Sequence, residues 1–185
     1  MANKSTDIYD GTTIFLHWAT AIVIVLLWII GQTGDLFPKG PLRAGAWSTH
    51  VALGLALAFL LIGRIAWRRF GGRQLPPADS GVRQTVAKTL QYALYVLLAA
   101  TILGGLANAF VRGFNIFGLV TLPQLGDKAL KEPLTEWHGL AANLVLGLAL
   151  IHSAAGLAHH YILKDTVLGR MWPDRQSASN AKLNA

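Results

Sequence analysis

Four long apolar stretches separated by polar loops set the pattern of this chain. They cover residues 14–31, 46–67, 86–109 and 134–163. Each approaches or exceeds the roughly 20 residues needed to cross about 30 Å of hydrocarbon. Backbone polar groups in lipid must be satisfied within their own segment, so the pattern predicts four membrane helices. The expected fold class is all-α, a transmembrane four-helix bundle over residues 14–172. With short tails at 1–13 and 173–185, both expected on the cytoplasmic side, no second domain is expected. The last dozen residues are small and polar and are expected to be a disordered tail. No internal repeat is evident, and Gly71-Gly72 and Pro76-Pro77 punctuate the second loop.

Composition agrees with this pattern. The chain is 14% charged, against about 25% for a typical soluble domain. The first span follows Asp7 and Asp10 rather than a basic segment, and Gln32-Thr33-Gly34-Asp35 lacks a small-residue cleavage pattern. The span therefore reads as retained rather than as a signal peptide. Zero cysteines exclude disulfides, thiolate iron–sulfur ligation and c-type haem attachment.

The net charge of +7 is spread over loop ends, with few aromatics between the bases, which does not suggest nucleic-acid binding. It suggests topology and anionic lipid instead. The second loop region carries Arg64, Arg68, Arg69, Arg73 and Arg83 against Asp79 alone, and the C-terminal region adds Lys164, Arg170, Arg175 and Lys182. Basic residues collect on the cytoplasmic side, so this loop and both termini are expected there, in a multi-pass protein of the bacterial inner membrane. Trp18, Trp67 and Trp172 fall near the predicted cytoplasmic edges, and Trp28, Trp47 and Trp137 near the opposite ones.

The candidate chemistry is imidazole. Of six histidines, His17, His50, His138 and His152 lie in the apolar segments, which hold no Cys and no acidic residue well inside the span. An ionisable side chain at membrane depth is costly and is a functional hypothesis by default. His138 and His152 are fourteen residues apart on one helix, so they differ by about 40° in azimuth and about 21 Å in height. Small residues between and beyond them on that face, Ala142, Ala149 and Gly156, admit a flat ligand or a neighbouring helix. Helix direction pairs His17 with His152 by depth, and His50 with His138. Two bis-histidine haems stacked in one bundle would need such pairs. With both axial positions filled, such an iron passes single electrons and binds no substrate.

Taken singly, each histidine is equally a hydrogen-bonding partner between helices or a proton relay. Four at matched depths on three helices favour haem. A proton carrier would need intramembrane carboxylates, and a di-iron bundle would need Glu-x-x-His pairs, which the spacing of Glu136 and His138 does not supply. A haem-free metal carrier stays open, with two Met and no Cys arguing against copper(I). His159 lies about 20° from the azimuth of His152 and nearer the cytoplasm. It suits either a quinone hydrogen bond or a plain interfacial position. His160 reads as interfacial. Arg64 suits a haem propionate or a simple topology charge. Lys39, Arg43 and Arg112 are weaker candidates at the other haem.

These residues resemble the bacterial cytochrome b561 family over roughly residues 10–173. The resemblance rests on Leu16-His17-Trp18, His50-Val51-Ala52-Leu53-Gly54 with Arg64, Phe117-Gly118 and Leu122-Pro123. Trp137-His138-Gly139, Leu150-Ile151-His152, His159-His160-Tyr161 and Lys164-Asp165 complete it. It implies four membrane helices holding two b-type haems and exchanging electrons with quinone, with ligands at His17, His50, His138 and His152. Some relatives carry a histidine on the third helix; Gln91 occupies that stretch here, so no ligand is assigned to it. Some members are thought to oxidise superoxide and reduce ubiquinone, while related subunits anchor formate dehydrogenases and nickel–iron hydrogenases. The expected partners are lipid, a quinone and an electron donor or acceptor that the pattern does not identify. Oligomeric state is equally open.

Overall fold

A computed structural model describes residues 8–172. The expected tail over 173–185, and most of the one over 1–13, lie outside the described residues. Four long helices dominate: α1 (Gly11–Thr33), α2 (Pro41–Phe70), α3 (Gly81–Arg112) and α4 (Lys131–Tyr161). All four are long and apolar enough to cross a membrane.

Three of them overrun the apolar stretches at both ends. Polar residues such as Arg68, Arg69 and Gln84 continue the helical ladder past the hydrocarbon, where water can solvate their side chains. Helix α4 instead stops at Tyr161, two residues short of the expected end. There Ile162 and Leu163 both donate to the Ala158 carbonyl, and Lys164 turns left-handed at φ 55°.

Local chemistry sets the other ends. The Asp10 carboxylate caps α1 by accepting from the Thr13 N–H at 2.9 Å. Pro41 opens α2 at a position where its missing N–H costs nothing. Gly113, at φ 59°, ends α3 in the left-handed conformation that glycine adopts freely. A short antiparallel hairpin follows, β1 (Asn115–Ile116) with β2 (Val120–Thr121), pairing Asn115 with Thr121 and Ile116 with Val120. It rests on α2, where the buried Ser48 hydroxyl accepts from the Phe117 N–H at 3.1 Å.

The helices form a ring. α1 packs on α2, α2 on α3 and α3 on α4, and α4 returns to α1 along the loosest seam. On that seam the Trp28 Nε1–H donates to Asn143 at 2.8 Å, so this ring bonds within the bundle as well as marking an edge. The core is a plug of Leu27, Leu57, Leu61, Leu98 and Val145. Val145 is seven residues from both His138 and His152, so the plug lies between the two histidine levels. Large apolar side chains such as Phe59, Val96 and Leu103 point outward and are exposed. In water such a coat would be prohibitive; in lipid it is the solvated surface.

The two ends differ. One carries the 71–80 loop and both ends of the described chain, which are joined by Tyr9 N–H donating to the Arg170 carbonyl at 3.1 Å. It is called the basic end below. The other carries the 34–40 loop and the hairpin and is called the hairpin end.

Candidate functional site

The bundle brings the four expected histidines together in the expected pairs. His17 of α1 faces His152 of α4 at the basic end, with ring centres 6.2 Å apart. His50 of α2 faces His138 of α4 at the hairpin end, with ring centres 6.0 Å apart. Two imidazoles bound trans to one ion, with metal–nitrogen bonds of about 2 Å, have ring centres about 6 Å apart. Among the described residues no group of three or more His, Asp or Glu could hold a metal. A pair of imidazoles is too few for a bare ion but suits a macrocycle that supplies its own equatorial nitrogens. The donor set therefore fits haem better than the metal-carrier alternative.

The ring nitrogens bear on the same question. The Nδ1 of His17 is buried with no partner among the described residues, a costly state unless something bound accounts for it. The His138 Nδ1–H donates to the Thr101 carbonyl of α3 at 2.9 Å, which leaves Nε2 with its lone pair free for a ligand. α3 thus gives no ligand yet orients one. It also makes room: a Cβ on Gly105 would sit 2.7 Å from His138 Cε1, so only glycine fits beside that ring. Trp18 packs edge-on against His17 and Trp47 against His50, at 5.5 and 5.6 Å between ring centres. At the basic end the Trp18 Nε1–H also donates to the Met171 carbonyl at 2.9 Å, closing the C-terminal segment over that level.

The remaining candidates divide by end. Arg64 stacks over the Tyr95 ring, its guanidinium carbon 5.4 Å from the ring centre, beside the His17–His152 level. Arg43 is occupied by the Phe37 and Asp35 carbonyls and pairs with the Asp35 carboxylate at 3.8 Å. Arg112 is occupied by Asn108, Thr135 and Glu132. Lys39 lies in the 34–40 loop and makes none of the described ion pairs.

His159 sits two turns beyond His152. Its Nδ1–H donates to Asp165 at 2.5 Å, and its Nε2 faces Asp79 at 3.6 Å. Desolvation alone would raise the Asp165 carboxyl. The hydrogen bonds from His159 and the Val167 N–H, with the charges of His159 and Arg170, pull it below the usual carboxylate range instead. His160 stacks edge-on with Tyr161 at 4.8 Å and is exposed.

Sequence reading did not find Thr101, Gly105, Tyr95 or the Asp79–Asp165 pair around His159. The Gly104-Gly105 doublet in a membrane helix was the one available signal.

Four apolar helices around two imidazole pairs define the architecture of a membrane cytochrome. The prokaryotic cytochrome b561 family matches residues 8–174, and the chain belongs to that family. It is a multi-pass, haem-binding electron-transport protein. It is 27% identical over 175 residues to a probable superoxide oxidase, CybB, of Yersinia pestis, covering 91% of this chain and 97% of that protein. It is 30% identical over 181 residues to cytochrome b561 homolog 1 of Escherichia coli K12, covering 91% and 98%. It is 31% identical over 182 residues to cytochrome b562 of Cereibacter sphaeroides, covering 90% and 96%.

Proposed function

We propose that the chain holds two b-type haems, one between His17 and His152 and one between His50 and His138, and carries single electrons across the membrane to or from a quinone. The observation that carries this reading is the pair of imidazole couples, 6.2 and 6.0 Å across, at opposite ends of one bundle. When bound, haem would be held by these imidazoles and would supply a reversible one-electron iron couple.

The chain does the rest. α4 fixes the vertical spacing by carrying one ligand of each pair. The Thr101 carbonyl holds the His138 tautomer. The Leu27–Leu57–Leu61–Leu98–Val145 plug keeps water from the space between the levels. By the distribution of arginines the basic end is cytoplasmic, in the inner membrane of a bacterium, with both termini on that side. A quinone approaches at this end, its oxygen against Nε2 of His159 in place of the Asp79 carboxylate that faces it at 3.6 Å, while Asp165 holds the ring from Nδ1.

The relative named as a probable superoxide oxidase supports superoxide as one electron donor and an oxidoreductase activity. A reduced-minus-oxidised spectrum with haem quantitation tests the cofactor reading. Two b haems per chain are expected; a colourless protein expressed with ample haem would end it. Turnover of quinone by the purified chain with superoxide separates a self-contained oxidoreductase from an anchor subunit, which would turn over only with a copurified catalytic partner.

A further inference from the structure

We propose that the Tyr95 hydroxyl and the Arg64 guanidinium form a clamp for a carboxylate, the propionate of the porphyrin held between His17 and His152. The proposal rests on the two-haem reading above and extends it to α3, which gives no axial ligand.

Tyr95 is a phenol on a membrane-spanning helix, and its hydroxyl oxygen is buried without a partner among the described residues. A buried hydroxyl without a partner is destabilising, so one bonded to nothing in the protein points to a bound acceptor. Arg64 stacks on the same ring at 5.4 Å. Both line one cleft at the basic end, with Thr13, Leu16, Trp67 and Arg68. Leu16 precedes His17 in the chain. Arg64 is also within electrostatic reach of both His17 and His152. The ion pairs among the described residues include neither Arg64 nor Arg68.

The cleft is thus lined by two arginines and a tyrosine, and none of its named lining residues is acidic. That set suits an anionic oxygen acceptor, for which arginine offers a planar fork. A quinone carbonyl accepts hydrogen bonds but carries no charge to balance two arginines. A propionate does, and the haem proposed between His17 and His152 would carry two. The walls are held from outside. The Asp10 carboxylate accepts from the Trp67 indole at 2.8 Å and from the Thr13 hydroxyl at 2.7 Å, fixing two lining side chains.

Tyr95→Phe tests the clamp because it removes one donor and no charge. The native protein and the variant should both hold two haems. In the variant the propionate-bending band of the resonance Raman spectrum should shift. The midpoint of the basic-end haem should fall at a pH where the propionate stays ionised, and the hairpin-end midpoint should not move. Haem transfer to apomyoglobin should be several-fold faster from the basic-end site. Arg64→Lys, which keeps the charge and loses the fork, should speed transfer in the same way and serves if Tyr95→Phe does not fold. An unchanged Raman band and an unchanged transfer rate in the variants would overturn the clamp and leave the haem reading standing. A variant altered only in its KM for quinone would reassign the cleft to quinone and also overturn it. A native protein without haem would end both readings.

Discussion

At the hairpin end, a backbone carbonyl and a glycine hold the imidazole pair: Thr101 accepts from His138, and Gly105 gives its ring room. At the basic end, the cleft next to Leu16 is lined by side chains that can be charged or swapped, namely Arg64, Arg68, Tyr95 and Trp67. The arginines nearest the hairpin end, Arg43 and Arg112, are already bonded to carbonyls, an amide, a hydroxyl and carboxylates. The two pairs are nearly equal in width but differ in what surrounds them. One is shaped by steric fit. The other is shaped by charge, and charge is the stronger lever on a redox centre. The basic end should therefore respond in potential to mutation, and the hairpin end in occupancy.

The largest expected effect breaks the pairs themselves. Alanine at either His17 or His152 should halve the haem content and remove the same spectral component. Alanine at His50 or His138 should remove the other. Loss of one component on mutating both His17 and His138 would show that the levels are not as described here. A smaller effect sharpens the steric side. A Cβ at Gly105 would meet His138 Cε1 at 2.7 Å, whereas one at Gly104 would find it no closer than 4.0 Å. Overpacking of this kind costs about 1–3 kcal/mol. Gly105→Ala should thus deplete the hairpin-end haem while Gly104→Ala leaves both in place, as haem quantitation on the purified variants would report.

Smaller still is the expected effect of Asp165→Asn at the basic end. The variant loses the ionic acceptor that holds the His159 ring through Nδ1. The KM for a soluble quinone should rise several-fold with both haems retained. Unchanged steady-state kinetics would remove His159 from the quinone site.

Much of this was legible in the chain before folding. Apolar length located the helices, and helix direction with fourteen-residue spacing placed His138 and His152 at two depths on one face. What periodicity cannot encode is which backbone group or small residue faces a ligand. The Thr101 carbonyl exists at every position of every helix, and only the packing of α3 on α4 aims it at His138. Tyr95 likewise reads as an ordinary membrane aromatic until α2 brings Arg64 across its ring. The early end of α4 depends on the left-handed turn at Lys164, a residue type that rarely adopts one. That turn positions Asp165 against His159, so the sequence pair His159 and Asp165 acquires meaning only in three dimensions.

The finest test concerns how the basic end is fastened from outside the membrane. Asp10 accepts from the Thr13 N–H and hydroxyl, the Trp67 indole and the Arg73 N–H, tying the start of α1 to the end of α2. Desolvation raises its carboxyl, but those four bonds outweigh it and hold it well below the ordinary 3.8. A carboxyl whose folded value is depressed adds stability that is fully present above the unfolded value and is lost as pH falls through the folded one. Asp10→Asn keeps a side-chain acceptor for the cap and loses the charge, so it should lower stability at pH 7 by roughly 1–2 kcal/mol. The gap from the native protein should hold from neutral pH down to about 3.8, narrow below that as the unfolded chain's carboxyl takes up its proton, and close only as pH falls through the depressed folded value. Thermal unfolding in detergent across this range, followed by helical circular dichroism, measures that gap. A gap that stayed constant into strong acid would mean that the ionised carboxylate is not what joins the two helices. None of these four bonds reaches the hairpin end, where the Asp35 carboxylate makes its own bond to the Trp47 indole at 3.2 Å, so the haem there should be released at the same temperature in both proteins until the whole bundle melts.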